Sequence, residues 1–292
     1  QRQMCIRDRN KKVKRAFKFR FYPTPVQEKE LLRTWGCVRR VYNKALDMRH
    51  TAWFKNQERV NYSQTSTALT QWKKQDELSF LKEVSSVPLQ QCLRHLQTAF
   101  TNFFEKRAGY PQFKSRKKSK LGLEYSSSGF RFKGDELYIA RLKEPLDVVW
   151  SRDFDRDSIS TVTITKDKAG RWFVSCLGEV SVEKRRITGK TVGLDMGVKD
   201  TLVLSTGQKL SPRDDRDMKK KLAKVDKYQR RLSKKKIGSN NFAKVKTKLS
   251  KAHVQVVDAR KDWIHKTTTQ LVKEFDVVCI EDLNVRGMTR SA

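Results

Sequence analysis

The period of the hydrophobic pattern changes twice along this chain, and that alternation restricts its fold more than any single motif. Residues 13–22 (VKRAFKFRFY) alternate cations with apolar or aromatic residues and then meet Pro23 and Pro25. A period of two with one basic, wet face reads as a strand, and the prolines stop it. From Pro25 to about Ala108 the apolar residues recur every three or four positions, as in Leu31, Leu32, Trp35, Val38, Val41, Tyr42, Ala45 and Leu46, and again in Leu89, Leu93, Leu96, Phe100, Phe103 and Phe104. That is the pattern of a helical bundle. Thr24 suits the N-cap, Pro25 the first turn, and Glu28 lies one position beyond the usual capping-box place. Residues 109–118 (GYPQFKSRKK) form a breaker followed by a basic loop with aromatics. Residues 121–182 then return to period two. Residues 130–133 and 136–139 flank Gly134-Asp135 as a two-residue hairpin, and 159–165 pairs with 172–177. A small β-barrel completed by the strand 13–22 is expected, which makes the helical bundle an insertion in it.

From Lys190 the order is strand (192–194), turn, strand (202–205), Gly207, a third short strand, a long basic helical region, and a continuous apolar run at 275–280 (FDVVCI). The last run reads as a parallel strand buried on both faces. Hairpin strands followed by a helix and a strand returning beside the first suggest an RNase H-like α/β core, so the chain is expected to be α+β and multidomain. Between residues 213 and 251 there are 16 Lys/Arg against 4 Asp/Glu. Leu222, Val225, Tyr228, Gln229 and Leu232 keep helical spacing, residues 238–241 break it, and Val245, Leu249, Ala252, Val256, Ala259 and Trp263 resume it. Each helix therefore has an apolar stripe and a cationic face suited to phosphates; a solvated helical hairpin is the plainer alternative. His253 and His265 are twelve apart, without the i, i+4 spacing of a helical metal pair.

Charge decides the class of partner. The 292 residues carry a formal charge of +33, and a surface of that kind draws in polyanions. Basic residues run through nearly every segment, unlike the one-sided helix of a membrane-surface binder. No apolar stretch reaches membrane-spanning length and no secretory signal opens the chain, so a soluble, cytoplasmic protein is expected. Five scattered cysteines without a C-x-x-C pair encode neither a disulfide framework nor a zinc site, and are expected as reduced, buried thiols. Residues 1–10 (QRQMCIRDRN) show no periodicity and read as a non-native or disordered tail.

Chemistry is expected where the apolar strands end. Asp195 lies in Gly193-Leu194-Asp195-Met196-Gly197, and Glu281 follows the apolar run at 275–280. If the two strands are parallel neighbours, these carboxylates come together, and Mg²⁺ or Mn²⁺ is the usual remedy for their repulsion. Such a cation activates water and stabilises the departing oxygen in phosphodiester cleavage. Strand-capping carboxylates paired with the abundant lysines are an equal alternative. Trp35, Trp53 and Trp72 are mostly core, with one or two free to stack on bases.

Four motifs in order then resemble a known family: Gly193-x-Asp195-x-Gly197-Val198-Lys199-Asp200; the stretch from Arg230-Arg231-Leu232-Ser233 through Lys234-Lys235-Lys236 to Gly238-Ser239-Asn240; Arg260-Lys261-Asp262-Trp263-x-His265-Lys266; and Ile280-Glu281-Asp282-Leu283-Asn284-Val285-x-Gly287-Met288. Together with Phe19-x-Phe21-Tyr22-Pro23-Thr24-x-x-Gln27 and Tyr110-Pro111-x-Phe113-Lys114, they resemble the TnpB family of insertion-sequence-encoded, RNA-guided DNA endonucleases, relatives of compact type V CRISPR effectors. The resemblance implies a wedge-type β-barrel (11–24 and 111–186) with an inserted helical recognition lobe (25–110), followed by a RuvC-type domain (187–292) that contains a basic helical hairpin (213–273). It implies a guide RNA from the transposon end, a double-stranded DNA target, a prokaryotic, nucleoid-associated setting, and no membrane partner. Asp195 and Glu281 match two RuvC acids that hold the metal. Lys18, Arg20, Tyr22, Lys114, Arg116, Lys117, Lys118, Lys219, Lys220, Arg230, Arg231, Lys234, Lys235, Lys236 and Asn240 are the expected nucleic-acid contacts. Family members continue into a zinc ribbon and a third acid, whereas this sequence stops at Ala292, so an incomplete RuvC domain, no zinc site and impaired cleavage are expected of it. Non-enzymatic RNA-guided DNA binding, or a DNA-binding transposase accessory role, are the competing readings.

Overall fold

The computed structural model describes residues 10–117, 119–183, 187–197, 201–212 and 216–281. The chain divides into two compact units, one ending at Glu183 and the other beginning at Lys184.

The first unit runs β1 (Asn10–Phe21), α1 (Pro25–Asn56), α2 (Tyr62–Lys74), a 3-10 segment (Asp76–Lys82), α3 (Ser86–Phe104), β2 (Leu121–Ser126), β3 (Phe130–Lys133), β4 (Glu136–Ile139), β5 (Val148–Val149), β6 (Ile159–Lys166) and β7 (Trp172–Glu183). β1 pairs with β7 over its whole length, from Asn10 opposite Glu183 to Phe21 opposite Trp172. The alternation read in the sequence is obeyed: Phe17, Phe19 and Phe21 are buried while Lys18 is exposed. Those rings join Leu31, Val38, Leu89, Leu93 and Leu96 of the helices in one hydrophobic core. Each fully buried side chain of this size contributes about 1.5–3 kcal/mol, so the inserted helices and the sheet stabilise each other. The hairpin at Gly134-Asp135 forms as read, with Lys133 opposite Glu136 and Gly134 at φ +58°.

Two expectations need correction here, the start of the first strand and the closure of the sheet. The strand starts at Asn10, inside the stretch read as a tail, because β7 is long enough to pair that far; residues 1–9 lie outside the described residues. Thr24 is the N-cap as read, and Gln27, at the usual capping-box place, is its reciprocal partner: the Gln27 N–H donates to Thr24 Oγ1 (3.3 Å) and the Thr24 N–H to Gln27 Oε1 (3.1 Å). Glu28, one position on, faces away and pairs with Lys166 of β6. The main sheet has the open order β2-β6-β7-β1-β5, with β3-β4 as a separate hairpin, so the described pairings do not close a barrel.

The second unit runs β8 (Thr191–Asp195), β9 (Leu202–Leu204), β10 (Lys209–Leu210), α4 (Arg216–Ser233), α5 (Asn240–Glu274) and β11 (Val277–Ile280). Its sheet has the order β10-β9-β8-β11, with β11 parallel to β8 and the other pairs antiparallel. Val192, Leu202 and Leu204 pack on Leu271 and Phe275 at the end of α5. α4 and α5 are zipped by Met218, Val225, Ala252 and Val256. The returning strand departs from expectation, because Phe275 caps α5, its N–H donating to the Leu271 carbonyl, and pairing starts only at Val277. Nor is that strand buried among the described residues: Val277, Val278 and Ile280 are 51%, 37% and 67% exposed. Among the described residues β11 has one neighbour, β8, and so is an edge. Cys279 on β11 is correspondingly exposed, whereas Cys37, Cys92 and Cys176 are buried free thiols. No described helix is long and apolar enough to cross a membrane.

Candidate nucleic-acid interface and carboxylate pair

The parallel register fixes the two acids. Val192 lies opposite Val278 and Leu194 opposite Ile280, so the next step along each strand sets Asp195 beside Glu281. Parallel neighbours run about 4.8 Å apart and register partners share a face of the sheet. On β8 that face alternates with the one carrying Val192 and Leu194, which packs on α5. The acids therefore stand on the face turned away from the core, with Gly193 and Cys279 two residues behind them. Gly193 leaves this surface low, and its N–H donates to Ser205 Oγ at 3.1 Å. Both Asp195 and Glu281 are exposed, so their mutual repulsion, and not burial, is what a bound cation would relieve. Two adjacent carboxylates are a hard oxygen-donor set, and Mg²⁺ is commonly held by one or two carboxylates with water and substrate phosphate completing the shell. The residues present fit that use. Among the described residues no group of three or more His, Cys, Asp or Glu side chains converges. Val198, Lys199, Asp200 and the motif from Asp282 onward lie outside the described residues.

The same unit carries the densest cationic surface. Lys219, Lys220, Arg230 and Arg231 on α4, and Lys234, Lys235 and Lys236 beyond it, are all exposed. Asn240, also exposed, is the first residue of α5, after the N-cap Ser239 whose hydroxyl accepts the Phe242 N–H at 3.1 Å. The apolar stripe faces inward between the helices and leaves the cations outward. α5 has 35 residues and at 1.5 Å per residue extends roughly 50 Å. His253 and His265 are exposed along it.

In the first unit, Lys18 and Arg20 project from the wet face of β1. The Lys18 ammonium is 4.2 Å from the Phe173 ring centroid, and the Arg20 guanidinium is 5.3 Å from the same ring and 5.0 Å from that of Tyr22. Arg171 adds a third cation at 5.2 Å from Phe173. Neither Phe173 nor Arg171 was singled out by sequence reasoning; Phe173 alternates with buried Trp172 and Val174, and that parity was the available signal. Lys114 is drawn inward: its ammonium sits 4.0 Å over the Tyr42 ring, and burial holds the amine below its ordinary pKa. Arg116 and Lys117 remain exposed, and Lys118 lies outside the described residues.

Residues 168–292 match the family model OrfB_IS605, described as "Probable transposase". Residues 11–58 match a second model from the same group, described as "Helix-turn-helix domain", although the span folds here as β1 followed by the single helix α1. A "Putative RNA-guided DNA endonuclease" of Streptomyces pristinaespiralis is 50% identical over 281 residues, covering 96% of this chain and 69% of the relative. "Putative RNA-guided DNA endonuclease InsQ" of Escherichia coli K12 is 32% identical over 283 residues, covering 95% of this chain and 68% of the relative. The solved "Cryo-EM structure of CRISPR-Cas12f Ternary Complex" aligns at 13% identity with a TM-score of 0.36, over 88% of this chain and 63% of that one, a likeness too low to bear on the fold.

Proposed function

The chain belongs to the OrfB_IS605 transposase family of TnpB-like proteins, and from that premise we propose that it acts as an RNA-guided DNA-binding protein and endonuclease. A guide RNA from the transposon end pairs with a DNA target, while the protein holds both through their phosphates. In this reading the first unit is a wedge-type domain with an inserted recognition lobe, and the second is a RuvC-type nuclease domain.

The observation that carries the reading is the parallel register of β8 and β11, which makes neighbours of Asp195 and Glu281 although 86 residues separate them. Mg²⁺ or Mn²⁺, if bound, would supply positive charge for the departing oxygen and a water of lowered pKa. Asp195 and Glu281 would hold that cation on an exposed face, where Gly193 and Gly197 leave room for a sugar-phosphate backbone. The lysines and arginines of the α4–α5 hairpin neutralise phosphates and fix the position of the duplex without reading its sequence.

The test is magnesium-dependent cleavage of a matched DNA target by the protein with its transposon-end RNA, beside Asp195→Ala and Glu281→Ala. Whatever magnesium-dependent cleavage the unmodified protein retains should be lost in both variants, with guided binding kept. Cleavage indifferent to both substitutions would remove the carboxylate pair from the reaction. Guided binding with no cleavage by the unmodified protein would favour the non-enzymatic reading.

A further inference from the structure

In the first unit, a cavity of about 410 Å³ opens where the end of α1, the start of α2 and the end of α3 meet. Its volume falls within the roughly 300–1,000 Å³ typical of small-molecule sites. Trp53, Phe100, Phe104 and Tyr110 supply flat walls. Phe104 and Trp53 are 66% and 42% exposed, whereas a packing cluster would hide such rings. Tyr110 stands edge-on to Phe100, with centroids 5.6 Å apart, and braces it.

Two guanidinium groups complete the cavity. The Arg59 guanidinium carbon lies 5.9 Å from the Trp53 centroid and 6.0 Å from that of Phe104, so a flat cation occupies the gap between the two exposed rings. Arg49 is 6% exposed and packs 5.0 Å from the Phe100 centroid. Its Nη2 donates to Gln97 Oε1 at 2.7 Å, while its Nε is buried without a hydrogen-bond partner among the described residues. A buried donor left unmade is costly, and at a binding cavity it calls for an acceptor from the ligand. Glu58 also lines the cavity, one carboxylate against two guanidinia.

Flat aromatic walls select a planar ring, and donor-only cations select acceptor atoms or an anion. A nucleotide offers both. Resting on the nucleic-acid reading of the proposed function, we infer that this cavity receives one unstacked base of single-stranded nucleic acid. The base stacks against Trp53 and Phe104 in the space Arg59 now fills, and Arg59 swings out to the adjoining phosphate. An oxygen of the same nucleotide satisfies Arg49 Nε. The site is independent of the α4–α5 cations, which act on phosphates alone and need no unstacked base.

The experiment uses the full chain and a short single-stranded oligonucleotide carrying 4-thiouridine, with crosslinked peptides mapped by mass spectrometry and affinity followed by fluorescence anisotropy. Crosslinks should fall on peptides holding Trp53, Phe104 or Tyr110. Phe104→Leu keeps the side chain apolar at an exposed position and should weaken single-strand binding about tenfold, the loss of one stacked base. Phe104→Trp should preserve the affinity, and duplex of equal length should bind all three proteins alike. Crosslinks confined to other peptides, or equal single-strand affinity for Phe104→Leu and Phe104→Trp, would overturn the site while leaving nucleic-acid binding intact. No binding of RNA or DNA by the unmodified protein would overturn the broader reading along with it.

Discussion

Asn43 of α1 grips Lys114 by both backbone groups: its side-chain amide donates to the Lys114 carbonyl at 2.9 Å, and its carbonyl accepts the Lys114 N–H at 2.8 Å. One side chain thus does for the loop after α3 what a neighbouring strand would do. Asn43→Ala strands a donor and an acceptor together, and should lower stability by about 1–3 kcal/mol. A denaturant midpoint that falls at constant m-value is the expected observation.

The same loop separates two kinds of cation. Lys114 is half-buried over Tyr42 while Arg116 and Lys117 are in water. Lys114→Met, which keeps the apolar stem, should reduce affinity for a nucleic-acid duplex less than Arg116→Ala or Lys117→Ala. A larger loss in an anisotropy titration would mean that the ammonium leaves the ring on binding.

Replacing Lys234, Lys235 and Lys236 with glutamine should flatten the dependence of log affinity on log salt by roughly 2–3 units, close to 0.9 for each phosphate that is no longer neutralised. Asp195→Ala should leave that slope unchanged, because it alters the cation site and removes no positive charge from the phosphates. Titrations at several salt concentrations distinguish the two.

Thiol reactivity should follow strand position. Burial pushes the Cys92 and Cys176 thiols up to about 12 and raises that of Cys37, while Cys279 is exposed on β11. In a Cys5→Ser background, Cys279 should take up maleimide rapidly at neutral pH and the other three only on denaturation. Cys279 shares its face with Glu281, so bound nucleic acid at the carboxylates should slow the labelling.

Acid should weaken the joint between α3 and β2. His95 Nε2 lies 2.9 Å from Glu124 Oε2, and that hydrogen bond holds the Glu124 carboxyl below its ordinary value against the opposing effect of burial. A carboxyl depressed in the folded state contributes stability above its unfolded pKa of about 4.3, which is lost as pH falls through the folded value. Glu124→Gln should therefore be less stable than the unmodified protein near neutrality. The two unfolding midpoints should converge in acid.

Periodicity carried the fold a long way. The wet and dry faces of β1, the hairpin at Gly134-Asp135 and the stripes joining α4 to α5 were all legible, because each depends on residues close in sequence. The reciprocal partner of Thr24 was left unassigned, although the spacing Thr24-x-x-Gln27 carries it, because attention fell on the acidic Glu28 one residue on. The exposure of β11 was unreadable from its apolar run, because burial depends on what packs against a strand and not on its own composition. The adjacency of Asp195 and Glu281 was inferred conditionally, and the register of β8 and β11 meets the condition. Phe173 and the Arg49 cavity escaped notice because their partners come from separate elements, with no motif linking them.

The pairing of β1 with β7 also has a consequence in time. Their partners lie between 151 and 173 residues apart. At about 5–20 residues per second, a ribosome needs roughly 8 to 30 s to deliver the mate after β1 has been made. Throughout that interval a nascent strand carries Phe17, Phe19 and Phe21 along one side with its hydrogen-bonding edge open. The helices made in between are the earliest surface on which those rings can be parked, so the inserted bundle serves the newborn chain as its own holding chaperone.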